Sequence, residues 1–332
     1  MKKLLQLLLI IAPTVLFAQN SYQVNQQFSI KSPGGWDYLS VNENKLFVSH
    51  GTQVNILNKN NGDSLGVIMN TTGIHGIAFD PIHKIGFTSN GRLNNVFAFN
   101  LSTNQVIATI TTGENPDAIF YEPFSKTIIT CNGRSKNLTF IDASNYQVIA
   151  TVDVGGKPET AVSDEQGKVF VNVEDKNEIV VINVKTFQAE AHWSIAPIES
   201  PTGLAIDNKT KRLFSGGEKM LGVINAANGK MVTTIPIGDG CDGVAFNNNT
   251  KTIYTSNGEG TMSVIKELDG AHYKLLETIP TLKGARTIAI DELSDKLYLP
   301  TADFEPLPAD AKPNTRAKMI AGSFKILVVS KK

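Results

Sequence analysis

The sequence repeats itself. Residues 34–330 contain seven copies of one pattern, each about 42 residues long. Every copy holds several short segments rich in β-branched and aromatic residues, separated by turn-forming residues. A period of about 40–45 residues with several short strands per copy is typical of one blade of a ring-shaped fold. The repeat therefore predicts an all-β protein, a seven-bladed β-propeller made of four-stranded antiparallel blades.

The second copy shows the four segments of the pattern. Its first segment, residues 75–80, starts at the polar His75, runs through apolar residues and ends at Asp80. A β-rich segment at 85–88 is followed by Asn90 and Gly91. An Asn-Gly pair tolerates positive φ, so it predicts a tight turn between the second and third strands. Segments 96–99 and 105–110 complete the predicted blade.

The two ends of the chain complement each other. The seventh copy reaches its third strand at 326–329 and then the chain stops, so its fourth strand is missing. Residues 22–30, ahead of the first copy, have the character of a fourth strand. We expect this N-terminal strand to join the last blade and close the ring, which would leave no open sheet edge between blades. The alternative is an open stack of sheets.

Residues 1–18 have the features of a signal peptide. Lys2 and Lys3 precede an apolar run, and Ala18 supplies the small residue at the cut. A short membrane anchor is the alternative, but the run is too short to span a bilayer. No Cys follows it, so we expect no lipid anchor. The sequence thus predicts export to the periplasm or the medium, one propeller domain at 19–332 with no transmembrane segment, and a monomer.

The charge balance argues against a nucleic-acid partner. The chain has 31 Lys plus Arg and 31 Asp plus Glu. Removal of Lys2 and Lys3 with the leader leaves 29 bases against 31 acids, a formal charge of −2. Nucleic-acid-binding domains carry a basic excess instead. The two cysteines, Cys131 and Cys241, lie in copies on nearly opposite sides of the ring, so we expect no disulfide between them.

Several short motifs resemble a known family. They are Phe87-Thr88-Ser89-Asn90, Tyr254-Thr255-Ser256-Asn257, Gly113-x-x-Pro116-Asp117 and Gly156-Lys157-Pro158-Glu159. With them the chain resembles the YVTN-type β-propellers, which include the YncE proteins, over essentially its whole mature length. The resemblance implies a non-catalytic binding or scaffold protein of the periplasm, although propellers support many unrelated activities.

The first residue of each first segment is the main candidate for a site. We call these seven the lead residues: Asp37, His75, Asp117, Glu159, Thr202, Asp242 and Arg286. In an up-and-down blade they lie on the same face as the turns between strands two and three, where the central channel opens. Channel mouths and loop faces are frequent binding sites. The predicted ligand-binding set for a small molecule or a protein partner is Asp37, His75, Asp117, Glu159, Asp242 and Arg286, with Asn132 and Asn257 from the turns.

Three neighbouring lead residues also offer the ligands of a divalent cation. Asp37, His75 and Asp117 would supply carboxylate oxygens and an imidazole. Such a cation would permit a metal-dependent, lactonase-like hydrolase, with Glu159 or Asp242 as the base. No H-x-x-x-H pair strengthens this hypothesis. The plainer interpretation of all these polar groups is that they cap turns or line a water-filled channel.

The seventh copy carries a long insertion at about residues 301–322. The same topology places it on the mouth face, as either a binding element or a solvated excursion. Trp36 and Phe304 would add aromatic surface there, although Trp36 also suits packing within its blade.

Overall fold

A computed structural model describes residues 21–308, 315 and 317–332. The predicted signal peptide lies outside the described residues, as do residues 309–314 and 316 of the insertion. The described chain forms seven four-stranded antiparallel sheets, which confirms the predicted all-β propeller. No helix within the described residues has both the length and the apolar character needed to cross a membrane.

Blades one to four follow one another along the chain. The strands of blade one are β2 (Trp36–Asn42), β3 (Lys45–His50), β4 (Gln53–Asn58) and β5 (Ser64–Met69). Those of blade two are β6 (Ile74–Asp80), β7 (Ile85–Asn90), β8 (Asn95–Asn100) and β9 (Val106–Thr111). Blade three has β10 (Pro116–Glu122), β11 (Thr127–Asn132), β12 (Asn137–Asp142) and β13 (Val148–Asp153). Blade four has β14 (Pro158–Ser163), β15 (Lys168–Val173), β16 (Glu178–Asn183) and β17 (Gln188–Ser194).

Blades five to seven complete the ring. Blade five has β18 (Leu204–Asp207), β19 (Arg212–Gly217), β20 (Met220–Asn225) and β21 (Met231–Pro236). Blade six has β22 (Cys241–Asn247), β23 (Thr252–Asn257), β24 (Thr261–Glu267) and β25 (Tyr273–Pro280). Blade seven has β26 (Ala289–Asp291), β27 (Lys296–Thr301), β28 (Lys325–Lys331) and, from the other end of the chain, β1 (Tyr22–Ser29). Single-turn 3-10 helices span Gly91–Leu93 and Glu174–Lys176.

The N-terminal strand closes the ring as predicted. Strand β1 pairs antiparallel with β28, and Tyr22 faces Lys331 while Phe28 faces Ile326. The first strands of successive blades contact one another, and β26 of the last blade contacts β2 of the first. The seven first strands therefore surround a common axis.

The apolar cores lie between neighbouring blades. Phe47 of blade one packs against Phe79 and Phe99 of blade two, with ring centroids 4.9 and 6.0 Å apart. The same pattern of buried residues from two adjacent blades recurs around the ring. A single sheet exposes both of its faces, so each blade buries its apolar area only by stacking on its neighbours.

The turns between strands one and two are closed by side-chain caps. Asp80 accepts a hydrogen bond from the Ile82 amide at 2.8 Å. In blade six, Asn247 accepts one from the Asn249 amide at 2.9 Å. These residues bond their own backbone and so end the first strand in a tight turn.

Both cysteines are free and buried. Burial raises the pKa of Cys131 and of Cys241 above the ordinary thiol range. The expectation that no disulfide joins them is therefore met, and neither thiol has the lowered pKa that reactivity needs.

A buried polar latch fixes the closing strand. The Tyr22 hydroxyl lies 2.6 Å from that of Tyr254 in blade six and donates to Asp295 of blade seven at 2.5 Å. Tyr254 donates to the other oxygen of Asp295 at 2.8 Å. Lys331 contacts the same carboxylate at 2.8 Å. One carboxylate thus ties the first strand of the chain to the last and to the neighbouring blade.

We predict that Tyr22→Phe destabilises the ring. Loss of the hydroxyl removes one of the hydrogen-bond donors to Asp295, so the free energy of unfolding should fall by about 1–3 kcal/mol. Denaturant unfolding followed by circular dichroism measures the change. Tyr146→Phe is the matched control, because the Tyr146 hydroxyl bonds to no residue that the structure describes. Equal stability of the two variants would contradict the role of the latch.

Candidate functional site

All seven lead residues line one cavity on the axis of the ring. We call this cavity of about 400 Å³ the mouth chamber. One lead residue comes from each blade, and the chamber wall is completed by Tyr38, Lys157 and Glu174. The structure therefore brings together the six charged residues that the sequence predicts from this position, Asp37, His75, Asp117, Glu159, Asp242 and Arg286.

A β-bulge at the start of the first strand directs the lead residue. The pairing of β2 with β3 shifts register between Trp36 and Leu39, so Asp37 and Tyr38 fall inside the bulge. Equivalent shifts enclose the lead residues of four more blades: His75, Asp117, Glu159 and Asp242. Bulges leave an extra residue unpaired and change the direction of its side chain. Repetition of the bulge therefore gives five blades an inward-pointing side chain at the same position of the repeat.

Serine residues on the second strands support these bulges. In blade two the Ser89 hydroxyl accepts a hydrogen bond from the Gly76 amide at 2.8 Å and donates to the Asp117 carbonyl of blade three. In blade six the Ser256 hydroxyl donates to the Arg286 carbonyl of blade seven and lies 3.3 Å from the Gly243 carbonyl. The Thr-Ser-Asn motifs thus connect the backbone at one lead residue to the next blade.

Asn132 and Asn257 do not line the chamber. The Asn132 side chain is fully buried, accepts a bond from Thr130 at 2.9 Å and donates to Thr139 at 2.8 Å. Asn257 accepts from Thr255 at 3.1 Å and donates to residues at the start of β24. Both amides form hydrogen bonds across the turn between strands two and three of their own blade. The structure therefore does not bring these two predicted residues together with the lead residues.

Ion pairs join neighbouring lead residues around the chamber. Arg286 pairs with Asp242 through Nε, and its Nη2 lies 3.6 Å from Asp37. Across the chamber, Lys157 Nζ lies 2.5 Å from oxygens of both Glu159 and Glu174. Two of the chamber's cations are therefore already held by its own acids.

His75 lies between two carboxylates. Its Nδ1 is 2.6 Å from Asp37 Oδ2 and 3.6 Å from Asp117 Oδ1. Burial alone would lower the pKa of His75, but the Asp37 hydrogen bond and the charge of Asp117 outweigh it and raise the pKa to about 9. One ligand atom from each of the three side chains lies within 4.8 Å of the others, which is the spacing a metal ion could bridge.

Three acids of the chamber have raised pKa values. Burial, followed by the charge of Asp37, raises the pKa of Asp117 to about 7, although His75 opposes the shift. Burial and the charge of Asp117 raise the pKa of Glu159 to about 8, against the effect of Lys157. Burial also raises the pKa of Asp242 in spite of Arg286. Cations in the chamber would lower all three values.

Tyr38 separates the mouth chamber from the channel below it. It also lines a second cavity of about 260 Å³, whose other walls include Leu39, Ile77 and Phe120 of the first strands. Burial and the charges of the surrounding acids, Asp117 first, raise the pKa of its phenol well above the ordinary range, so it stays neutral. The chamber therefore has a polar wall above a tyrosine floor.

Tyr38 and Lys157 were not among the predicted site residues. Strict alternation along a strand turns successive side chains to opposite faces, so Tyr38 should point away from Asp37. The bulge removes that alternation, and a bulge has no reliable sequence signal here. Lys157 precedes Glu159 by two residues, which is the spacing that could have indicated it.

Comparisons with known proteins show the fold of this chain and do not assign it to a family. No family model matches the chain, and no curated protein sequence matches it either. Hydrazine synthase of Kuenenia stuttgartiensis contains a similar chain, with 14% identity, a TM-score of 0.70 and coverage of 81% of this chain and 94% of that one. A chain of the mitotic checkpoint complex has 11% identity, a TM-score of 0.76 and coverage of 99% and 98%.

The protein is a seven-bladed β-propeller. At these identities the likeness shows the fold alone, so the YVTN-type family stays a prediction. The fold is compatible with a binding or scaffold role.

We predict that the pKa values of His75 and His50 are shifted in opposite directions from the ordinary imidazole value. His75 should stay protonated to about pH 9. Burial lowers the pKa of His50, which lies among Ser32, Gly34 and Phe324. NMR titration of the imidazoles in buffer with a chelator measures both values, and Asp37→Asn should lower that of His75.

The stability contribution of the His75 ion pair follows from the same shift. Its pKa is raised on folding, so the contribution is complete below the unfolded value of 6.5 and disappears as pH rises through about 9. A His75 pKa at or below 6.5 would contradict the ion pair.

Proposed function

We propose that the protein is an exported binding or scaffold protein that holds a small ligand or a partner's side chain in the mouth chamber. One observation carries this proposal: the charged side chains of six blades, and Thr202 of blade five, converge on one cavity. Polar side chains that only capped turns would each bond their own blade, as Asn132 and Asn257 do. A rigid ring with convergent polar groups suits binding.

The charge of the lining favours a cationic ligand. Five carboxylates against three cations give a formal charge of −2 when all are ionised. The five are Asp37, Asp117, Glu159, Glu174 and Asp242, and the three are His75, Lys157 and Arg286. A metal ion, an organic ammonium group or the Lys or Arg side chain of a partner protein would each supply the missing positive charge.

We predict that the chamber binds small cations through Asp117. At least one of Ca²⁺, Mn²⁺ and butylammonium should bind with a dissociation constant below about 1 mM in calorimetry. Affinity should rise with pH, because Asp117 and Glu159 lose their protons at about pH 7 and 8. Asp117→Asn should weaken binding about tenfold or more, since it removes a charged partner.

The control for this experiment is Asp63→Asn. Asp63 is an exposed carboxylate in the turn before β5, away from the chamber. The control makes the same chemical change and should bind as the unmodified protein does. Failure of all three cations to bind, or equal loss in both variants, would contradict the cation preference.

A second candidate function is a metal-dependent, lactonase-like hydrolase. The specific observation in its favour is the cluster of Asp37, His75 and Asp117, whose ligand atoms lie within 4.8 Å of one another. Glu159 and Asp242 line the same chamber, and their raised pKa values suit proton transfer near neutral pH. In this hypothesis a bound divalent cation would polarise a lactone carbonyl or activate water.

Metal content and turnover separate the two functions. The hydrolase hypothesis predicts a stoichiometric divalent cation in the purified protein and lactone hydrolysis that stops on chelation. His75→Gln should then abolish both metal retention and turnover, because it removes the only nitrogen ligand of the cluster. If the protein carries no metal and hydrolyses no lactone, the hydrolase hypothesis is excluded and only the binding function stands.

We also propose that residues 1–18 are a cleaved signal peptide, that 19–332 form one domain, and that the protein acts as a monomer in the periplasm or the medium. The motif Tyr254-Thr255-Ser256-Asn257 and its counterparts support membership of the YVTN-type propellers. The near-neutral charge argues against a nucleic-acid partner. N-terminal sequencing of the exported protein should give Gln19 as the first residue, and retention of Met1 would contradict cleavage.

A further inference from the structure

A second large cavity opens beside the mouth chamber, and it differs from the chamber in chemistry. We call this cavity of about 700 Å³ the aromatic pocket. Its side-chain walls include the apolar residues Trp36, Phe304, Leu307 and Met319 and the charged residues Lys283 and Arg286. Its volume and its mixture of apolar walls with a few polar groups are typical of small-molecule sites.

The apolar walls come from opposite ends of the sequence. Trp36 begins β2, and Phe304 follows β27 in the insertion of blade seven. Their rings lie 6.1 Å apart, and Phe304 forms a β-bridge with Met319. A flat aromatic group could therefore contact both rings, as aromatic pairs do at offset or tilted geometry.

Glycines leave the rest of the pocket open. Gly35, Gly258 and Gly284 line it with backbone alone. Their backbones are already bonded into the rim: Gly258 donates to the Gly240 carbonyl at 2.8 Å, and Gly284 donates to the Gly258 carbonyl at 2.8 Å. A Cβ at Gly35 would meet no atom within 4 Å. The space is therefore a property of a rigid, hydrogen-bonded rim.

Among the residues that the structure describes, both charged groups that line the pocket are positive. Lys283 is exposed and forms no ion pair within the described residues. Arg286 is held by Asp242 and Asp37, which lie on the chamber side and do not line the pocket. The pocket thus presents one uncompensated ammonium group and one fixed guanidinium group next to an aromatic wall.

We propose that the aromatic pocket binds a small amphipathic anion. Its apolar body, preferably aromatic, would lie against Trp36 and Phe304, and its carboxylate would contact Lys283 and Arg286. A carboxylate paired with Lys or Arg forms the stronger, charge-assisted class of hydrogen bond. This site is separate from the cation site proposed for the chamber, because the two cavities carry charge of opposite sign and share only Arg286.

Three probes that share a phenyl group and differ in charge test the proposal. They are 3-phenylpropionate, 2-phenylethanol and phenethylamine, each titrated into the full-length mature protein by calorimetry. We expect 3-phenylpropionate to bind about tenfold more tightly than the neutral alcohol, and the amine to bind more weakly still in this pocket. A 3-phenylpropionate dissociation constant weaker than about 1 mM, or a preference for the alcohol, would overturn the proposal.

Two variants locate the binding. Gly35→Leu places a bulky side chain at a lining position where a Cβ has open space, and it should abolish 3-phenylpropionate binding. Lys283→Gln should reduce the affinity about tenfold and remove most of the preference over 2-phenylethanol. Lys209→Gln is the matched control: Lys209 is exposed in the turn between β18 and β19, on the opposite face of the ring.

The outcomes also separate this site from the mouth chamber. Binding of 3-phenylpropionate that survives Asp117→Asn but is lost in Gly35→Leu assigns the anion to the aromatic pocket. Binding that survives Gly35→Leu, or falls equally in Lys283→Gln and Lys209→Gln, would overturn it. Phenethylamine binding that is lost in Asp117→Asn reports on the chamber and leaves the result for the anion unchanged.

Discussion

The pairing of β1 with β28 is the contact on which the other features depend. It joins the two ends of the chain in one sheet, and the half-buried carboxylate of Asp295 holds Tyr22 and Tyr254 at the same seam. Each blade buries its apolar faces only against its neighbours, so an open ring would expose the faces of the first and last blades. Closure also fixes the seven first strands about one axis. The convergence of side chains in the mouth chamber is therefore a consequence of ring closure.

The ring concentrates acids at partly buried positions around the chamber, so their negative charges repel one another. Arg286 and Lys157 compensate Asp242 and Glu159 directly, and His75 compensates Asp37. Burial nevertheless raises the pKa values of Asp117, Glu159 and Asp242, since it disfavours the ionised form of a carboxyl. A site in this condition gains from a bound cation both by direct attraction and by the relief of repulsion among its own acids. The adjacent aromatic pocket has the opposite preference, and Arg286 stands at the boundary between the two.

The sequence predicted where the site lies better than it predicted which residues line it. The lead residues recur at one place in the repeat, so a sound blade count puts them all on one face, and the structure gathers them around one cavity. Asn132 and Asn257 also recur, but hydrogen bonds inside their own hairpins account for them. Tyr38 and Lys157 were missed because a bulge breaks the alternation from which side-chain direction is read. The aromatic pocket was anticipated only as aromatic surface, since its walls are some 270 residues apart, as Trp36 and Phe304 are.

The sequence by itself determined the number of blades, the strands in each and the exchange of the terminal strand. These depend on local patterns, β-rich segments and turn residues, that repeat with one period and need no long-range information. Only the tertiary structure decided which charges face one another. Asp37 meets His75 from the next blade and Arg286 from the last one, and each pairing needs the bulge to turn the side chain and the closed ring to set the distance. Side-chain direction and separation to within a hydrogen bond arise from packing between blades, which no single repeat encodes.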